Sequence, residues 1–211
     1  MDYERAMDAP APPAARCHHL TRRTSETEVT LRLDLDGTGE VRAATGIGFF
    51  DHMLTALGRH ALFDLDIQAQ GDLHVDFHHT VEDVGIVLGQ AILQALGEKR
   101  GITRYGHSVV PMDEALVEAA VDLSGRATFG WQVRFTRPKI GEMDTELFEE
   151  FFRALSANGL FALHLIQRAG RNDHHIAEAC FKAAARALRM AVEPDARQLD
   201  RVPSTKGSLA G

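Results

Sequence analysis

Residues 76–85 read DFHHTVEDVG, and residues 173–181 read DHHIAEACF. Both carry His-His-x-x-Glu. Imidazole with carboxylate suits a borderline or hard divalent ion such as manganese, iron or zinc. No thiolate accompanies them, which excludes a structural zinc finger. On a helix, successive side chains diverge by about 100°, whereas i and i+4 nearly coincide. His78 therefore aligns with Glu82 and His174 with Glu178, while His79 and His175 turn aside. Each motif then offers a His/Glu pair to one ion and a lone histidine to another. The bland reading, polar residues at a helix start, covers one such pair but not two.

The repeat extends beyond the motifs. FFDHMLTALGRHALFDLDI aligns with LFEEFFRALSANGLFALHL at a shift of 98, and HHTVED with HHIAEA at a shift of 96, so the intervening loops differ by two residues. This is an internal duplication. It sets His52 opposite Glu150, and both types can bind a metal. The candidate ligands are thus His52, His78, His79, Glu82, Glu150, His174, His175 and Glu178. Asp76, Asp83 and Asp173 read as caps or surface charges. His18, His19, His60, His107 and His164 lack such company and read as surface or core residues.

The elements that must hold these residues follow from periodicity. Residues 27–36 alternate, with Val29, Leu31, Leu33 and Leu35 on one face, which predicts a half-buried strand. Helical spacing predicts helices over 49–60, 79–101, 145–159 and 174–193, while residues 62–71, which alternate, and 160–170 read as strands. Residues 114–135 read as two strands forming a hairpin turned at Ser124-Gly125. The class is α+β, a duplicated unit with helices over sheet. Residues 1–15 form an Ala/Pro-rich lead-in expected to be disordered, 16–105 the first half, 106–199 the second, and 200–211 an irregular tail. Both halves are expected to form one globular unit.

Composition narrows the function. A net charge of -7 without a basic run argues against nucleic acid. No apolar stretch approaches the roughly 20 residues of a membrane span. Cys17 and Cys180 form no spaced motif, and the acidic N-terminus lacks a signal peptide's apolar segment, so a cytoplasmic protein is expected. Cations at loop and helix ends suggest a small phosphorylated substrate: Arg104, Arg126, Lys182 and the PSTKG segment. Lys182 lies two helical turns beyond His174, within reach of the metal region. PSTKG lacks the Gly-rich first half of a P-loop.

In this order, FFDHML, HHTVEDVGIVLGQA, PMDEAL, VDLSGR, HHIAEACFKAAARALRMAVEPD and PSTKG resemble the imidazoleglycerol-phosphate dehydratase family of histidine biosynthesis, over residues 16–207. The resemblance implies two halves, each a four-stranded sheet backed by helices, like the second domain of ribosomal protein S5. It implies two manganese ions per subunit and a homo-oligomeric cage of twenty-four copies sharing sites between subunits. One ion would take His52, His79, His174 and Glu178, the other His78, Glu82, Glu150 and His175. Glu26 would touch the substrate, and Arg104, Arg126, Lys182, Ser204, Thr205 and Lys206 would hold its phosphate.

The implied hydro-lyase converts imidazole glycerol phosphate to imidazole acetol phosphate. On that resemblance, metals on the ring nitrogens would favour imidazolate, which would expel the neighbouring hydroxyl to give a diazafulvene. Loss of the next C–H gives an enol that becomes the ketone. Glu26, Glu178, Asp113 and Glu114 are candidates for the base. The chain departs from the family pattern at Glu150, where many relatives carry His, and at Phe77, where DDHHT is common. The competing function is a dinuclear metallohydrolase of a small phosphate ester.

Overall fold

The computed structural model describes residues 15–198 and 201–209. The first half runs β1 (Cys17–Arg23), β2 (Thr27–Asp34), β3 (Val41–Ala44), α1 (Gly48–Ala61), β4 (Asp64–Gly71) and α2 (His78–Leu96). The second runs β5 (Tyr105–Met112), β6 (Ala115–Asp122), β7 (Thr128–Gln132), the two-residue strands β8 (Lys139–Ile140) and β9 (Met143–Asp144), α3 (Glu146–Gly159), β10 (Ala162–Ala169) and α4 (Asp173–Val192). The sheets have matching orders, β1-β2-β4-β3 and β5-β6-β10-β7. In each, the fourth strand pairs in parallel and the others antiparallel. The duplicated α+β class and the four-stranded sheets are therefore present. All but one residue of the Ala/Pro lead-in lies outside the described residues.

Alternation builds each sheet. Val29, Leu31, Leu33 and Leu35 are all buried, as their period of two requires. The outer faces carry the polar partners, including His19, His107 and His164, while His18 lies half-buried on the inner side of β1. Between the sheets lie the helices, in pairs that cross the halves: α1 packs on α4, and α2 on α3. This pairing decides where the motifs meet. Gly85 and Gly89 allow α2 to approach α3 closely. A Cβ at Gly85 would lie 2.7 Å from the Phe151 carbonyl oxygen, and one at Gly89 2.5 Å from that of Leu155.

The expected strand pairing fails. The two strands read in 114–135 are not a hairpin. β6 pairs with β5 through the turn at Asp113-Glu114, and β7 crosses to the far edge, parallel to β10. The Ser124-Gly125 turn is real, with Gly125 at φ 81, but it feeds a crossover. β5 escaped the sequence reading because its apolar alternation is sparse and Pro111 interrupts it. α2 also stops at Leu96, where Gly97 adopts φ 50, rather than running to 101.

Candidate metal centres

Each repeated motif opens a helix. The His78 backbone N–H donates to Asp76 at 2.8 Å, and that of His174 to the N-cap Asn172 at 3.0 Å. Helical geometry then acts as expected. His174 Nε2 lies 3.3 Å from Glu178 Oε2, one turn on, and His52 Nε2 reaches the same oxygen from α1 at 3.6 Å. His52, His174 and Glu178 offer ligand atoms that all lie within 4.8 Å of one another. A second trio, His78 and Glu82 of α2 with Glu150 of α3, meets the same limit. The α1–α4 and α2–α3 contacts build each trio from both halves of the chain.

The neighbouring histidines turn away. Ring planes of His78 and His79 cross at 87°, and those of His174 and His175 at 81°. Neither His79 nor His175 joins a trio among the described residues. His79 Nδ1 lies 3.0 Å from Asp72 Oδ2, and its Nε2 lies 3.9 Å from Glu26. His175 Nδ1 lies 2.7 Å from Glu114 Oε2, and its Nε2 lies 3.6 Å from Asp113. Both histidines have a raised pKa, caused first by these Nδ1 hydrogen bonds. Glu114 falls to about 2, through His175 and then the backbone N–H groups of Asn172 and Arg171.

The donor set suits a divalent ion. Imidazole and carboxylate converge without a thiolate. Glu150 Oε1 is buried without a hydrogen-bond partner among the described residues, although its other oxygen pairs with Arg153. An uncompensated buried carboxylate oxygen is costly, and a cation would relieve it. Glu178 is held below the ordinary carboxylate range. Burial pushes it up, and Lys182 (2.6 Å away), His52 and His174 pull it down further.

The expected phosphate-binding residues are not one cluster within the chain. Lys182 lies against Glu178 beside the first trio. Arg104 lies further along α4: its backbone N–H donates to Ala191 O, nine residues on and roughly 13 Å away along the axis. Its guanidinium is tied to Asp122 at 2.7 and 3.2 Å and to Pro203 O at 2.7 Å. That last bond brings Ser204, Thr205 and Lys206 to Arg104, and the Lys206 N–H donates to Ser204 Oγ at 3.2 Å. Arg126 is exposed in the turn after β6.

Asp72 is the residue that sequence reasoning missed. It sits in an aperiodic loop, and its contact with His79 has no sequence signal beyond the nearby histidine pair. Asp83 and Asp173 are not surface charges: Asp83 binds Arg22 at 2.6 Å and the Thr27 hydroxyl, and Asp173 accepts from the backbone N–H groups of Thr136 and Arg137. Asp76 does cap. Phe77 is half-buried against the hydrophobic core, a packing role.

A family model described as imidazoleglycerol-phosphate dehydratase matches residues 45–188. The chain is 68% identical to the imidazoleglycerol-phosphate dehydratase of Gluconacetobacter diazotrophicus over 92% of this chain and 98% of that protein. The crystal structure of the dehydratase from Staphylococcus aureus subsp. aureus N315 is similar at TM-score 0.77 and 38% identity, over 84% of this chain and 99% of that one. The Pyrococcus furiosus structure, solved in complex with (S)-C348, is similar at TM-score 0.74 and 36% identity, over 90% and 99%.

Proposed function

The chain belongs to the imidazoleglycerol-phosphate dehydratase family and is a hydro-lyase of histidine biosynthesis, and from that premise we propose that it works with two manganese ions in sites completed by neighbouring copies. The observation that carries this reading is the split of the ligands: each trio is one short of the four ligands that the resemblance implies, and the fourth ligand, His79 or His175, points elsewhere. His52, His174 and Glu178 would hold one ion with His79, and His78, Glu82 and Glu150 the other with His175. Since the fourth member stands outside each trio in its own chain, a second copy is the natural donor. A twenty-four-copy cage meets that requirement by symmetry.

Bound metal supplies Lewis acidity toward the imidazole ring of the substrate, favouring its anionic form. The remaining work falls to side chains. Dehydration of imidazole glycerol phosphate needs a base for the C–H proton. Glu114 is a poor one, because three hydrogen bonds hold it ionised far below neutral pH. Glu178 is committed to the trio and Lys182. Glu26 and Asp113 remain: both are exposed, and each faces Nε2 of a lone histidine. Arg104, Arg126, Ser204, Thr205 and Lys206 offer donors to the phosphate, with Lys182 at the metal end. Asp122 and Pro203 fix the Arg104 fork.

No helix among the described residues is long and apolar enough to cross a membrane. Two free cysteines fit a reducing compartment, which supports a cytoplasmic location. Hydrolysis by a close metal pair is disfavoured by the divergence of the adjacent histidine rings, and the metal–metal distance in the loaded assembly decides it. The test is chelation followed by manganese return. Activity should vanish and recover in the parent protein, and stay absent in His174→Ala. Full activity in the chelated protein, or in His174→Ala with unchanged metal content, contradicts the reading.

A further inference from the structure

We propose that Asp72 and Glu114 are positioning residues, each holding one lone histidine by Nδ1 so that Nε2 is presented to a metal. The inference rests on the manganese reading above. A carboxylate can only accept, so the 3.0 Å and 2.7 Å contacts require that Nδ1 carry the proton in both rings. Nε2 of the neutral ring is then the nitrogen with a free lone pair. Unheld, the imidazole would divide between two tautomers and turn about its χ2 bond.

Both carboxylates are built in. Asp72 keeps 17% of its side-chain exposure, and its second oxygen is buried without a partner among the described residues. A group fixed at such cost calls for a return. Glu114 is anchored at its other oxygen by the backbone N–H groups of Arg171 and Asn172, at 3.2 and 2.8 Å. These N–H groups directly precede α4, so the turn that carries Glu114 is tied to the start of the helix that carries His175.

The two holders are not copies of one another. Asp72 follows β4, whereas the position following β10 is Gly170, which has no side chain to offer. Glu114 precedes β6, and the residue preceding β2 is Glu26, which faces Nε2 of His79 rather than Nδ1. The duplication therefore does not explain the shared contact. The same ring nitrogen is secured from different places in the two halves, which points to a requirement of the site rather than an inherited accident.

The assignment separates the two ions. Asp72 serves the ion of His52, His174 and Glu178, through His79, and Glu114 serves the other, through His175. Glu82→Gln leaves the first class of site intact and Glu178→Gln the second, and manganese titration followed by electron paramagnetic resonance reads each alone. In the Glu82→Gln background, Asp72→Asn should weaken manganese binding about 10- to 100-fold, and Asp72→Glu should restore most of it. In the Glu178→Gln background Asp72→Asn should change nothing, while Glu114→Gln gives the loss. Circular dichroism confirms that each variant is folded. Unchanged affinity for Asp72→Asn beside Glu82→Gln, or equal loss in both backgrounds, overturns the assignment. Failure of both parents to bind manganese overturns the manganese reading instead, and this assignment with it.

Discussion

At the residue scale, the paired histidines turn to different partners. His78 and His174 align with Glu82 and Glu178 because a helix returns every 3.6 residues or so. That much is legible in the sequence, since it depends only on local geometry. The holders of His79 and His175 are not legible, because a loop residue's direction depends on the whole fold. The choice of base belongs to this scale. Either Glu26→Gln or Asp113→Asn should lower kcat by about 10²–10⁴-fold while KM and manganese content stay near the parent values. Equal, small effects from both would remove these two carboxylates from the chemistry.

Elements place these residues within reach of each other, and here the tolerances are tight. Gly89 lets α2 lie against α3, so Gly89→Ala should overpack that contact by about 1–3 kcal/mol. The melting temperature should fall by several degrees, and the site of His78, Glu82 and Glu150 should lose more metal affinity than the site on α1 and α4. Calorimetry and metal titration check both. A second element-level device is Asp64 at the start of β4, whose Oδ1 accepts the backbone N–H groups of Thr38, Gly39 and Glu40 at 2.8, 2.9 and 2.8 Å. Burial pushes its pKa up, but those three bonds carry it below the ordinary 3.8. With the folded value depressed, its contribution is present above the unfolded pKa and lost as pH falls through the folded one. Asp64→Asn should therefore lower the melting temperature at pH 7, and the gap from the parent should close in strongly acidic buffer.

The same scale shows where periodicity misled. Turn residues at Ser124-Gly125 mark a change of direction but not the next strand's partner. β7 answers to β10, some thirty residues on, in the parallel edge position that β3 takes beside β4 in the first half. The duplication is visible in α1, β4 and the start of α2, which match α3, β10 and the start of α4. The leading strands β1 and β5 have drifted too far in sequence to be paired by eye.

The whole molecule is two half-units whose helices interlock, so neither half owns a trio. On the proposed function, metal binding would then report on how well the halves pack. It also leaves His79 and His175 facing outward from their own trios, which is why a second copy enters the proposal. Chelation should then loosen the assembly as well as silence it, a change that mass photometry or light scattering would register as smaller species regaining size when manganese returns. An assembly indifferent to chelation would restrict the metals to chemistry.

The most direct measurement is a crystal structure of the manganese-loaded protein with anomalous data at the manganese edge. Two peaks per chain are expected, one among His52, His174 and Glu178 and one among His78, Glu82 and Glu150. Nε2 of His79 should complete the first and Nε2 of His175 the second, each from a neighbouring copy. Metal at neither trio, or His79 and His175 outside coordination distance of every ion in the assembly, would contradict the division of labour.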